Sequence, residues 1–173
     1  MTTSRTSRAR PWATSLRGTG TALRRLSSLY LVCVFSLREG YDVAKKYASK
    51  FNLIAPTWYR WEASASGKIR LTGQKDVDLE WAKAVKEAGK AHDLKITPRF
   101  VIEFDGEAVF GQGQDPRKQV LTMVALAVTE CKKQNWDGLV FEASYIVKEM
   151  LGAIQVFSDQ LHKEGKLLII TAS

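Results

Sequence analysis

The stretch Asn135-Trp136-Asp137-Gly138-Leu139-Val140-Phe141-Glu142-Ala143-Ser144 constrains the fold of this 173-residue chain more than any other. Lys132, Lys133, Gln134 and Asn135 form the polar end of a helical pattern and run into an Asp-Gly turn. Leu139-Val140-Phe141 is a short apolar run of the kind that parallel sheets bury on both faces. A new helical pattern begins at once, with Ile146, Val147, Met150, Leu151, Ile154, Phe157 and Leu161 on one face. Helix, strand and helix with joints this tight make an α/β unit. In α/β barrels the C-terminal end of such a strand carries the chemistry.

The rest of the chain repeats the alternation. Leu29-Tyr30-Leu31-Val32-Cys33-Val34-Phe35 is an apolar run of strand length, and the first strand is expected within 26–35. Gly40-Tyr41-Asp42-Val43 opens a short helix over Ala44–Lys50, and Phe51–Trp58 follows as a second strand with its aromatic residue at the exit. Lys68-Ile69-Arg70-Leu71 alternates and reads as a short outer strand ending at the Thr72-Gly73 turn. Asp76 is the expected N-cap of a helix containing Val77, Trp81, Val85 and Ala88. Leu94–Phe104 reads as the third strand, with an irregular ladder at Pro98, because proline cannot donate to a neighbouring strand. Asp105–Gln114, with glycines at 106, 111 and 113, is expected to be a loop; it lacks the spacing of a phosphate loop. Asp115 caps and Pro116 opens the next helix, whose apolar face is Val120, Leu121, Val124, Val128 and Cys131. Gly165 stops the helix after the fourth strand, and Leu167–Ile170 is a fifth strand. The order β-α-β-α-β-α-β-α-β implies parallel pairing through right-handed crossovers.

This pattern and its motifs resemble the family 18 glycoside hydrolases, the chitinases. Their fourth strand carries Asp-Gly-x-Asp-x-Asp-x-Glu, the last Glu protonating the leaving sugar while the substrate's own acetamido group acts as nucleophile. Anchored on Asp137-Gly138, the signature places Val140 at the second Asp, Glu142 at the third and Ser144 at the catalytic Glu. The resemblance is closer to the chitinase domain-containing branch, which lacks the catalytic Glu and keeps a Glu where Glu142 stands. It rests on Gly40–Val43, Ser49-Lys50-Phe51, Pro56-x-Trp58, Leu71-Thr72-Gly73, Asp76-Val77-Asp78, Trp81, Pro98-Arg99 and Asp137-Gly138. The Ser-x-Gly-Gly of chitinases on strand three is absent, with Thr97-Pro98-Arg99-Phe100 in its region.

What the resemblance implies is an α/β fold, a partial (β/α)8 TIM barrel of about strands 1–5. A complete barrel needs roughly 250 residues, so residues 26–173 are expected to form its N-terminal portion. The implied function is binding of chitin-type, N-acetylglucosamine-containing oligosaccharides or glycolipids without cleavage. The implied setting is secretion or lysosomes, with a scavenger-receptor-type protein partner.

Chemistry on the strand supports binding over catalysis. Side chains two apart on a strand share a face, so Val140, Glu142 and Ser144 point together. Ser144 has no titrating group near neutral pH, and Val140 cannot relay charge. Glu142 sits about 6–7 Å deeper than the catalytic position at normal strand rise. An active hydrolase with Glu142 as a displaced acid is the alternative. Trp58, Tyr59, Phe104, Glu142 and Tyr145 fall at or just after expected strand ends and are the candidate carbohydrate-binding residues. Aromatic faces stack on sugar rings, and a carboxylate accepts hydrogen bonds from hydroxyls. The competing reading is that the aromatic residues pack the core and that Glu142 pairs with a base such as Arg99.

Charge decides against nucleic acid. The formal charge is +8, but residues 1–38 hold seven arginines and no acid. Removing those seven from 26 basic residues leaves 19 against 18 acidic, a net +1 for residues 39–173. Residues 1–25, rich in Ser, Thr and Arg without apolar periodicity, are expected to be a disordered leader. Arg24-Arg25 before the apolar run also fits a signal peptide, a transit-type segment is a further reading, and a gene-model artefact is another. No run reaches the ~18 apolar residues of a membrane span. Cys33 and Cys131 are expected as free thiols, His92 and His162 as surface residues, and no metal or cofactor site is expected.

Overall fold

A single run of parallel hydrogen bonding links five segments that the sequence marks as apolar. The computed structural model describes residues 31–34, 38–111, 113–143 and 151–172. The leader, most of the first apolar run beyond 31–34, and the segment 144–150 lie outside the described residues. The strands are β1 (Leu31–Val34), β2 (Leu53–Ala63), β3 (Ile69–Thr72), β4 (Lys95–Ile96), β5 (Arg99–Ile102), β6 (Gly138–Ala143) and β7 (Leu167–Ala172). The main sheet runs β1-β2-β5-β6-β7, all neighbours parallel, with β4 also pairing parallel to β2. The helices are α1 (Arg38–Lys46), α2 (Leu79–Ala88), α3 (Gly106–Phe110), α4 (Pro116–Lys133) and α5 (Leu151–Lys163). The alternating order and parallel pairing are those of part of a (β/α)8 barrel, as the sequence pattern predicts.

The expected irregularity at Pro98 is present, and it divides the third strand in two. β4 ends at Ile96, and β5 begins at Arg99. Proline has no N–H to give β2, yet the Pro98 carbonyl still accepts from Val140 N at 2.9 Å. The Lys68–Leu71 strand also forms. As β3 it pairs antiparallel with the end of β2, Glu62 opposite Arg70 and Arg60 opposite Thr72. Gly73 follows with φ +93°; its missing side chain leaves room for the Trp58 carbonyl, which an added Cβ would meet at 1.8 Å.

Several expectations are corrected. The second strand does not end at Trp58 but continues to Ala63, because a register shift between Thr57 and Tyr59 restarts the ladder. Gly40–Val43 lie inside α1, and Ala48–Lys50 form a separate 3₁₀ turn. The cap of α2 is Asp78, whose carboxylate accepts from Trp81 N at 2.8 Å; Asp76 is drawn instead to Arg60. The glycine-bearing stretch after β5 holds the short helix α3, capped by Asp105 through Glu107 N. Asp115 and Pro116 open α4 as expected, the carboxylate accepting from Arg117 N and Lys118 N. The buried face of α4 differs from the expected one: Met123, Ala127 and Glu130 join Val124 and Cys131, while Leu121 is exposed.

The core lies between the sheet and its helices. Trp58, Tyr59, Trp61 and Phe100 are fully enclosed, each burial contributing roughly 3 kcal/mol. Trp61 packs on Phe100 and Phe141, and Phe141 meets Phe157 of α5 at 5.5 Å. Trp58 meets Trp81 of α2 and Trp136, and donates to the Tyr41 hydroxyl from α1. His92 and His162 are exposed, and Cys131 is a buried free thiol.

Candidate functional site

The helix-facing row of the sheet fixes what the other face must carry. Tyr59 is in register with Phe100, and Phe100 with Phe141, all on the helix side. Alternation along each strand then puts Thr57, Arg99 and Val140 in one row of the opposite face. The next row toward the strand ends is Arg60, Val101, Glu142 and Thr171. In a closed barrel this face looks into the mouth.

Arg99 and Glu142 meet on it. The guanidinium donates from Nη2 to Glu142 Oε2, joining β5 to β6. The Arg99 side chain is 10% exposed and that of Glu142 31%, so the carboxylate is the solvent-facing partner. The pairing of Glu142 with Arg99 that the competing, structural reading expected is therefore present, and Val140 shares the face as expected. The hydroxyls of Thr57, Thr97 and Thr171 are also buried and have no hydrogen-bond partner among the described residues. Such groups cost about 1–3 kcal/mol when dry. Two of them flank the ion pair: Thr57 is in register with Arg99 and Thr171 with Glu142.

Asp137 sits at the other end of β6. Its carboxylate accepts from Ile96 N at 2.8 Å and pairs with Lys86 of α2 at 3.0 Å. Its own N–H donates to the Ile96 carbonyl, and its carbonyl accepts from Leu167 N. One residue thus ties β4, β6, β7 and α2 together. A Cβ on Gly138 would meet the Leu167 carbonyl oxygen at 2.2 Å. The Asp-Gly pair is a packing joint, remote from Glu142 by the length of the strand.

The aromatic candidates divide. Trp58 is 1% exposed and Tyr59 is fully buried, so neither presents a face to a ligand. The bulge at Thr57 turns both consecutive residues toward helices, and sequence alternation had placed them at a strand exit. Tyr59 Oη donates to Glu130 Oε1 of α4 at 3.1 Å and accepts from Trp136 Nε1 at 2.9 Å. Burial is the main cause that raises its hydroxyl pKa above the ordinary value, and the Trp136 hydrogen bond partly opposes it. Phe104, just past β5, is half-buried and meets Phe110 of α3 edge-on at 6.0 Å. Ser144 and Tyr145 lie outside the described residues.

Sequence reasoning passed over the charged residues beyond Glu142. Arg60 pairs with Glu103 at 3.1 Å and Asp76 at 3.4 Å, and Arg70 with Glu62 at 2.6 Å. Their signal was the alternation Arg60-x-Glu62 facing Arg70-x-Thr72. The broad hollow between α4 and the β2–β3 hairpin is lined by Leu71, Leu121 and Leu126 and includes neither Arg99 nor Glu142. No group of three His, Cys, Asp or Glu side chains among the described residues is arranged to hold a metal. No helix among them is long and apolar enough to cross a membrane.

No protein-family model matches the sequence. Solved structures do match its fold. A chitinase from Chromobacterium violaceum aligns with TM-score 0.59 at 17% identity, over 82% of this chain and 44% of its own. A GH18 chitinase from Flavobacterium johnsoniae aligns with TM-score 0.60 at 13% identity, over 82% and 45%. A GH18 chitinase from Cycas revoluta, in complex with allosamidin, aligns with TM-score 0.59 at 14% identity, over 84% and 45%. The chain spans less than half the length of each, and over that span it has the α/β barrel fold of the family 18 glycoside hydrolases.

Proposed function

We propose that this chain is a catalytically degenerate chitinase-like domain that binds chitin-type, N-acetylglucosamine-containing oligosaccharides or glycolipids without cleaving them. The observation that carries the reading is the solvent-facing Glu142 carboxylate on the sheet face opposite the helices. Glu142 offers a half-exposed carboxylate to sugar hydroxyls, and Arg99 holds it in place. Partnerless threonine hydroxyls beside the pair supply further donors and acceptors.

Hydrolysis asks for more. A leaving-group acid must reach the glycosidic oxygen with a proton to give. The sequence places Ser144 there, and a serine hydroxyl has no proton to give near neutral pH. The second reading, a hydrolase with Glu142 as displaced acid, meets two obstacles. Glu142 lies about 6–7 Å deeper along the strand, and its Oε2 already accepts from a guanidinium. A secreted or lysosomal setting and a scavenger-receptor-type partner belong to the same proposal. The test is binding and cleavage of chitooligosaccharides by the full chain and by Glu142→Ala. Saturable binding, weakened in the variant and with no cleavage products, supports the proposal.

A further inference from the structure

The net +1 of residues 39–173 hides an uneven distribution along the strands. Each long helix runs back to the edge where the next strand begins, so α1, α2, α4 and α5 all end at the N-terminal edge of the parallel sheet. Lysines collect there. α1 and the 3₁₀ turn after it carry Lys45, Lys46 and Lys50, and α2 with its following turn carries Lys86 and Lys90. Lys132 and Lys133 close α4, Lys163 closes α5, and Lys95 and Lys166 lie at the starts of β4 and β7. Side chains tie these ends together. Lys86 pairs with Asp137, just before β6, at 3.0 Å, and Lys132 with Glu164, just after α5, at 3.0 Å. Lys166 Nζ donates to the Trp136 carbonyl at 2.7 Å.

Ten lysines thus share one end with four carboxylates, Glu87, Asp93, Asp137 and Glu164, a net +6. The remainder of residues 39–173 is then −5. A lysine at a helix C-terminus complements the dipole, which places about half a negative charge there. Four such termini offset about two of the six charges and leave a surplus of about four. Lys45, Lys50, Lys133 and Lys163 are exposed and have no ion-pair partner among the described residues. Arginine is absent from this end among the described residues: Arg60 and Arg70 are on the β2–β3 hairpin, Arg99 opens β5 and Arg117 lies in the first turn of α4. Two apolar side chains stand out of the same end. Tyr47, directly after α1, is 44% exposed with Lys46 Nζ 5.4 Å from its ring centroid, and Leu167, the first residue of β7, is 40% exposed.

We propose that this lysine-rich end docks on a bilayer surface rich in acidic phospholipids. Three observations favour a bilayer among anionic partners. The lysines extend across the whole parallel sheet, about 19 Å for its five strands, at helix ends that a flat surface meets together. Lysine is a hydrated point charge on a flexible stem, which suits mobile phosphates, whereas the arginine fork suits fixed bidentate acceptors. Tyr47 and Leu167 are placed to enter a headgroup layer, where an aromatic ring with a polar tip is favoured. The surface is separate from the glycan proposal, because Glu142 lies toward the opposite end of β6.

The experiment is sedimentation of the full chain with vesicles of phosphatidylcholine alone and of an equal mixture with phosphatidylserine. Binding should require phosphatidylserine and weaken as salt rises. Lys133→Gln/Lys163→Gln should lower vesicle affinity about 25-fold, at the roughly fivefold that one lysine contributes beside an acidic bilayer. Arg117→Gln/Lys118→Gln removes two charges from the opposite end of the helix layer and should leave affinity unchanged. The seven arginines of residues 1–38 are common to every variant, so they do not account for a difference between them. Tyr47→Ser should weaken binding to vesicles and not retention on heparin. If the first variant melts early, Lys45→Gln/Lys50→Gln carries the same comparison. Equal affinities in the two double variants overturn the surface, because charge would then act wherever it is carried. Heparin retention lost with the lysines, without vesicle binding, overturns the bilayer and assigns this end to a soluble polyanion. No binding to the mixed vesicles overturns the proposal outright.

Discussion

Arg99 on β5 donates to Glu142 on β6 across two adjacent parallel strands, in register rows two residues apart on one face. The two groups compensate each other's partial burial, so removing either leaves a charge in a poor environment. Glu142→Ala should cost about 1–3 kcal/mol of stability. The double change Arg99→Met/Glu142→Leu should cost less than the single changes combined. Urea denaturation of the four proteins in the cycle checks this, and additive costs would mean the pair is not coupled.

Tyr59 gives a sharper separation of packing from binding. Tyr59→Phe removes one hydroxyl from between Trp136 and the buried Glu130. It should lower stability by about 1–3 kcal/mol while leaving glycan affinity of the folded variant unchanged. Thermal melts and titrations on one preparation read both. A lost affinity with an unchanged melt would return Tyr59 to the binding residues.

Gly138→Ala places a methyl group against the Leu167 backbone, where no flexible side chain can give way. The β6–β7 ladder must shift, at a cost of about 1–3 kcal/mol. Asp137→Ala should destabilise as well, by releasing Ile96 N and Lys86. Amide exchange at Leu167 and Leu168 reports the ladder directly and should accelerate in Gly138→Ala.

These joints show which parts of the fold were legible. The break at Pro98, where a donor is missing, and the opening of α4 at Asp115-Pro116 read correctly from sequence. The turn expected at Asp137-Gly138 falls instead at Gln134-Asn135, with Asn135 at φ +55°, and Gly138 already opens β6, because Asp137 is held by Ile96, Lys86 and Leu167, contacts distant in sequence. The extent of β2 was not legible, because the bulge after Thr57 sends Trp58 and Tyr59 both toward helices and destroys the alternation that marks a strand. Choosing Asp78 over Asp76 as the α2 cap required knowing that Arg60 claims Asp76. The buried Glu130 on α4 was invisible for the same reason. Its partners are Tyr59, 71 positions away, and Gln134. At the site, the Arg99–Glu142 pairing was anticipated from residue chemistry, whereas the hairpin ladder needed the antiparallel register to be seen.

The hairpin carries a pH dependence of its own. The Thr72 hydroxyl, and next to it Arg70, hold the Glu62 carboxyl below the usual carboxylate range. A depressed carboxylate stabilises the fold above its unfolded pKa, and that contribution is lost as pH falls through the folded value. Glu62 should therefore titrate below an ordinary glutamate by NMR, and Thr72→Val should move its midpoint up. A midpoint unmoved by Thr72→Val would remove the hydroxyl as the leading cause.

Cys131 should be inert while the chain is folded. Burial is the main cause that pushes its thiol pKa up to about 12, and thiolate is the reactive form. Alkylation at pH 8 followed by peptide mapping should leave Cys131 unmodified until denaturant is added. Modification of the folded chain at a rate like that of a free thiol would contradict the buried placement.

The most direct measurement is a calorimetric titration of the N-acetylglucosamine hexamer into the full chain, followed by mass spectrometry of the sugar recovered from the cell. A carboxylate already engaged by Arg99, together with the proposed loss of the acid at Ser144, predicts a saturable binding signal and intact hexamer. Shortened oligomers, abolished by Glu142→Gln and not by Ser144→Ala, would contradict it and make Glu142 the acid of a working hydrolase.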